Sequence, residues 1–155
     1  MPFPRAALTF AALVAALAPR PAAATPGLTA ATRLHGSCAA YAAFRESDFP
    51  EAVALAAGGP APQGEDARRN AAAGLRWANR RAFAESRAAQ AVASEQVQGR
   101  EGAPESLEAL LAWWSTFVGD IPVAQREAWA TVTCPVIYEA ADAQCAETAC
   151  DALPD

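Results

Sequence analysis

Four cysteines, Cys38, Cys134, Cys145 and Cys150, constrain this 155-residue chain more than any other feature. What they can do depends on where the chain resides, and its N-terminus bears on that question. Arg5 supplies a positive start, Ala6 to Ala18 carries no charge, and Ala22-Ala23-Ala24 offers a small-x-small cleavage site. These are the three parts of a secretory signal. The uncharged run is shorter than the roughly 20 apolar residues that span a bilayer. The expectation is a signal peptide over 1–24 and a single domain over 25–155 that begins at Thr25. A lipid-anchored alternative fails on the residues, because Cys38 follows His35-Gly36-Ser37 at a distance from the apolar run. No later stretch is long enough to serve as a transmembrane segment, so the mature chain is expected to be soluble and either periplasmic or secreted.

An even number of cysteines in an exported chain predicts two disulfides. Zinc is disfavoured: 95, 10 and 4 residues separate successive cysteines, and His35 is the only histidine, whereas zinc sites use close Cys/His pairs. With no C-x-x-C-H and no methionine beyond Met1, no haem and no other cofactor is expected. Disulfide geometry requires Cα atoms within about 7 Å. If Val136 to Gln144 is helical, Cys134 and Cys145 lie roughly 16 Å apart along its axis and cannot pair. The favoured connectivity is Cys38–Cys134 with Cys145–Cys150, the latter requiring a turn between its cysteines. The alternative is Cys38–Cys145 with Cys134–Cys150.

Punctuation divides the rest. A first helix is expected over Thr32 to Glu46, with Gly36 weakening its first turn. Asp48-Phe49-Pro50 restarts a short helix, with Asp48 as cap, that ends at Gly58-Gly59-Pro60. From Glu65 to Gln98 there is no proline and only Gly74 inside, which predicts a helix of about 50 Å. Its inward face is read as Ala67, Ala71, Leu75, Ala78, Ala82, Ala89 and Ala93. Pro104-Glu105 opens a further helix to Val118, whose apolar residues Leu107, Leu110, Leu111, Trp114, Phe117 and Val118 share one face. Gly119 is the expected end. Another helix runs from Pro122 toward Thr133, although the β-branched run Thr131-Val132-Thr133 suits an extended segment as well. Pro135 ends or kinks it before a last helix over Val136 to Gln144. The fold class is therefore all-α, a small bundle of four to six helices with two disulfides.

Charge narrows function. Without residues 1–24 the chain holds 10 Arg, no Lys and 17 acids, a net charge of −7. Phosphate neutralisation dominates nucleic-acid affinity, so no nucleic-acid partner is expected. The feature that suggests a site is a row of arginines. Arg69, Arg76, Arg80 and Arg87 project within about 40° of one another on the long helix, with Phe83 beside them to stack on a guanidinium. Such a row can dock a carboxylate- or phosphate-bearing ligand. It can equally be neutralised internally, because residues 101–155 carry ten acids and only Arg126. Acids such as Glu105, Glu108, Glu139 and Asp142 would be the ones to cover it.

His35 lacks any sequence neighbour that would make it a base, and the serines lack a nucleophile elbow. Trp114 belongs to the expected core, Trp113 to its edge, and Trp77 and Trp129 read as partly buried anchors. The expected function is protein–protein contact with another envelope or extracellular protein, without catalysis and in an oligomeric state the sequence leaves open. Anion binding on the arginine-lined face is the alternative, and a hydrolase built on His35 or a carboxylate pair is the third.

Overall fold

Six helices and no strand make up residues 28–154, the part of the chain described by the computed structural model. The signal-peptide expectation for 1–24 and the Thr25 start lie outside the described residues. In chain order the helices are α1 (Ala30–Glu46), α2 (Pro50–Ala56), α3 (Glu65–Val97), α4 (Leu107–Asp120), α5 (Val123–Thr133) and α6 (Pro135–Thr148). None of them is long and apolar enough to cross a membrane.

The ends follow local chemistry. Thr29 caps α1, its Oγ1 accepting from the Thr32 N–H at 3.2 Å. Ser106 caps α4 by accepting from the Ala109 N–H at 3.1 Å, so α4 starts two residues beyond Glu105. Asp48 does not cap α2. Phe49 occupies that position without a side-chain bond, and Asp48 instead pairs with Arg45 at 3.1 Å. At the far end of α4, Arg126 donates to the carbonyls of Gly119 and Ile121 at 2.6 and 2.7 Å, satisfying acceptors a helix end leaves open. Thr131-Val132-Thr133 is helical, with the Thr131 hydroxyl donating to the Glu127 carbonyl at 2.8 Å. That local bond accommodates the threonine inside the turn.

The core forms around α1, which packs most extensively on α3 and next on α4. Its contiguous buried stretch Cys38-Ala39-Ala40-Tyr41-Ala42 meets Ala84, Ala88 and Val92 of α3 and Leu110, Trp114 and Val118 of α4. Trp114 is a core residue as expected, while Trp113, Trp77 and Trp129 are half-buried against that core. Gly36 lies inside this interface: a Cβ there would stand 2.7 Å from Trp114 Cδ1. At Gly74 a Cβ would overlap the Ala52 Cβ, so α2 seats directly on the α3 backbone.

The inward face of α3 differs from the expected one. Its buried residues are Ala71, Gly74, Ala84, Ala88, Val92 and Glu95, whereas Ala82 and Ala93 are exposed. The two faces are about a quarter turn apart. Alanine occurs all round this helix, so its periodicity carries no orientation. The docking partners Phe49, Ala52 and the small residues of α1 set the seam. Two members of the arginine row, Arg80 and Arg76, meet Asp142 of α6 and Asp151 beyond its end.

Both disulfides have the favoured pairing. Cys38 and Cys134 are joined with Cα atoms 5.7 Å apart, and Cys145 and Cys150 with Cα atoms 4.8 Å apart. Cys134 is at once the last cap of α5 and the first of α6, so the first bond pins this corner onto the middle of α1. The turn required between Cys145 and Cys150 is made by Ala149, which adopts the left-handed conformation at φ 51° and ψ 45°. A Cβ disfavours that region by roughly 1–2 kcal/mol, and glycine is the usual residue at such a helix end. Ala149→Gly is accordingly expected to stabilise the protein by about 1 kcal/mol, read as a raised urea midpoint. An unchanged midpoint would mean that the turn carries no such strain.

Candidate functional site

A cleft of about 320 Å³ opens where α1, α3, α5 and α6 converge. Three helices each bring an aromatic ring and a charge to it at helical spacing: Tyr41 and Arg45 from α1, Trp77 and Arg80 from α3, Tyr138 and Asp142 from α6. The Trp77 ring meets Tyr41 and Tyr138 edge-on, with centroids 5.9 and 5.5 Å apart. The Arg80 guanidinium lies 4.4 Å from the Trp77 centroid, and that of Arg45 lies 4.9 Å from it. These are cation–π distances. Arg80 also clamps Asp142 through two bonds, Nε to Oδ1 at 2.8 Å and Nη2 to Oδ2 at 2.6 Å. The geometry is bidentate, which fixes the guanidinium plane.

The floor is held by Tyr138, whose hydroxyl donates to the Cys38 carbonyl at 2.8 Å. Burial pushes its phenol well above the ordinary value, with Tyr41 adding to the shift, so Tyr138 remains a neutral donor. On the rim stand the exposed carboxylates of Glu127 and Glu139. Val132 and Val136, which follow the cleft residues Thr131 and Pro135 in sequence, are 82 % and 73 % exposed.

Each member of the arginine row has a definite place. Arg69 pairs with Glu65 at 2.8 Å and Asp66 at 3.6 Å on its own helix. Arg76 pairs with Asp151 at 2.6 Å, and Arg80 with Asp142 in the cleft. Arg87 is exposed, its guanidinium 5.2 Å from the Phe83 centroid, and it has no ion-pair partner among the described residues. Of the acids expected to cover the row, Asp142 does so. Glu105, Glu108 and Glu139 do not pair with it; Asp151 and the first-turn acids of α3 supply the other partners.

His35 is half-buried and is not part of the cleft lining. Desolvation and the nearby Arg87 charge lower its pKa, leaving it neutral at physiological pH with Nδ1 unbonded. No cluster of three potential metal ligands occurs among the described residues.

Glu95 has the most unusual environment of the acids. It is 2 % exposed, and its Oε1 accepts from the Thr29 N–H at 2.8 Å and from the Thr32 hydroxyl. The carboxylate thus reaches across from α3 to the positive N-terminal end of α1. Burial disfavours its charge, yet the bonds from Thr29 and Thr32 outweigh that and hold its pKa below the ordinary 4.5. A depressed folded pKa adds stability that is fully present above the unfolded value and lost as pH falls through the folded one. Acid titration of the wild type should therefore show a loss beginning below about pH 4.5 that Glu95→Gln lacks. At neutral pH the variant is expected to be less stable by about 1.5–3 kcal/mol. Parallel melting curves of the two proteins between pH 7 and pH 2.5 measure both effects, and curves of identical shape would rule out an ionised Glu95.

Fold and site together define a small all-helical, doubly disulfide-linked domain with an aromatic, arginine-bearing cleft among the described residues. No protein family, curated protein or solved structure matches the chain.

Proposed function

We propose that this protein is exported to the periplasm or beyond and acts there by protein–protein contact, with the α1/α3/α5/α6 cleft as its contact surface. The observation that carries this reading is the composition of the cleft: Tyr41, Arg45, Trp77, Arg80 and Tyr138. Tyr, Trp and Arg are the residues enriched where interfaces concentrate their binding energy. Charged residues on the rim and exposed valines next to its lining in sequence fit the same pattern. Two disulfides support export, because cytosolic thiols are kept reduced.

The test is site-specific photo-crosslinking in the native host. A photoreactive residue replacing Thr131, in the cleft wall, is expected to give one discrete protein adduct that Glu139→Arg suppresses. The same residue replacing Thr116, on the exposed side of α4, is expected to give none. Equal adducts at both sites, or none at Thr131, would end the contact reading.

A second reading is favoured by one specific contact. Arg76 of the row takes a carboxylate, that of Asp151, and Arg87 is exposed with no ion-pair partner among the described residues; in this reading Arg69, Arg76, Arg80, Arg87 and Phe83 are assigned to an anionic ligand that displaces the internal acids. Reversing the charge of Arg76 and Arg80 is expected to abolish thermal shifts induced by polycarboxylates; unchanged shifts would remove this alternative.

A further inference from the structure

The two ion pairs that link the arginine row to α6 and its tail differ in how their acids are held. Asp142 belongs to α6 itself. Asp151 lies beyond the helix end, one residue after Cys150, and is brought back to Arg76 by the Cys145–Cys150 bond and the left-handed turn at Ala149. The same tail offers its Pro154 carbonyl to Arg68 Nη1 at 3.4 Å. Both contacts are solvent-accessible, the side chains of Arg76 and Asp151 being 44 % and 35 % exposed. Exposed pairs of this kind hold little by themselves. The covalent tether supplies the local concentration that keeps the tail in place.

The disulfides also differ in access. Cys38 and Cys134 are both fully buried at 0 % exposure. Cys145 is buried, but Cys150 is partly exposed, so a reductant can reach one bond and not the other.

We propose that Arg76 of the row and Arg68, the two α3 arginines that hold the tail, form a binding site for carboxylate-bearing ligands, masked in the oxidised protein by the tail carrying Asp151 and unmasked when a dithiol reduces Cys145–Cys150. This rests on the anion-binding reading above and adds a gate to it. A thiolate of the dithiol attacks Cys150 Sγ, and the Sγ–Sγ bond breaks with its electron pair leaving on Cys145, which takes up a proton. The second thiol of the reductant then closes its own disulfide and releases Cys150 as a thiol. Two electrons and two protons pass from the dithiol to the protein. Relief of the non-glycine left-handed turn favours opening, and Asp151 leaves Arg76 with the freed tail.

Binding of a fluorescent hexa-aspartate peptide at low salt tests the gate, with four forms compared: oxidised wild type, wild type in dithiothreitol, Cys145→Ser/Cys150→Ser, and Asp151→Asn with both disulfides intact. The expected result is at least tenfold tighter binding by the last three than by the first, abolished by Arg76→Gln in each background. Hydrogen exchange of 146–154 should rise on reduction while that around Cys38 and Cys134 stays protected. Asp151→Asn keeps the test decisive if the serine variant folds poorly. Equal binding by all four forms would leave the anion site standing and overturn the gate. No binding by any form, with the tail shown to be released, would overturn the anion reading and the proposal with it. Unchanged exchange of 146–154 on reduction would overturn the tether.

Discussion

Replacing Cys38 and Cys134 together by alanine is expected to lower stability by about 4–5 kcal/mol. The bond closes a loop with a sequence separation of 96, for which loss of chain entropy in the unfolded state predicts that size. The structure indicates why little else would compensate. Helix α5 touches α1 only sparingly, and the α5–α6 corner is anchored there by Cys134 and by the Tyr138 hydroxyl on the Cys38 carbonyl. At roughly 4 °C per kcal/mol for a domain of this size, the melting temperature should fall by on the order of 15 °C. Replacing Cys145 and Cys150 removes a much shorter loop, with a separation of 5, and should cost about half as much. Thermal and urea unfolding of both double variants provide the comparison. Equal losses would show that loop length does not govern the stabilisation.

The second large effect concerns Trp114. Truncating this 5 % exposed indole to alanine should cost about 3–5 kcal/mol, the range for deleting a buried aromatic side chain. Its partner across the interface turns this into a sharper test. Gly36→Ala in the wild type drives a Cβ to 2.7 Å from Trp114 Cδ1 and should cost about 1–3 kcal/mol through overpacking. In the Trp114→Ala background the two closest atoms are gone, and what remains is the end of the flexible Leu110 side chain at 3.1 Å, which can turn into the space the indole leaves. There the same substitution should stabilise by up to about 1 kcal/mol, as alanine replaces glycine inside a helix. A double-mutant cycle reads this reversal of sign; additive losses would mean that Gly36 and Trp114 do not constrain each other.

Punctuation and periodicity revealed most of the architecture. Prolines and glycines delimited six helices to within a few residues, because these residues act through the local backbone, whereas the cap expected at Asp48 is not formed and those at Thr29 and Ser106 were not anticipated. The disulfide pairing was legible in part: helix rise excludes Cys134–Cys145 by distance, which left two connectivities, and the favoured one is the pairing observed. The orientation of α3 was not. Alanine on every side gave a face without direction, and the seam is chosen by partners more than twenty residues away in sequence.

The cleft escaped for a related reason. Its three aromatic–charge pairs, Tyr41/Arg45, Trp77/Arg80 and Tyr138/Asp142, each have ordinary i,i+3 or i,i+4 spacing. Each alone looks like a solvated helix edge, and only tertiary packing brings them together. Arg80 was singled out as part of a row, yet its strongest partners lie in the cleft. Glu95 gave a faint signal, standing seven residues beyond Ala88 on the same face of α3. A charge at such a position reads as a break in the seam, until the N-terminal end of α1 is seen opposite it.

The pairing has a bearing on biogenesis. Numbered from the N-terminus, the first cysteine joins the second and the third joins the fourth. A chain threaded across a membrane N-terminus first presents its sulfurs in that order. An oxidant that couples each newly arrived cysteine to its predecessor therefore yields native bonds without shuffling. On the export proposed above, maturation should then be indifferent to loss of an isomerase and sensitive to loss of the oxidant.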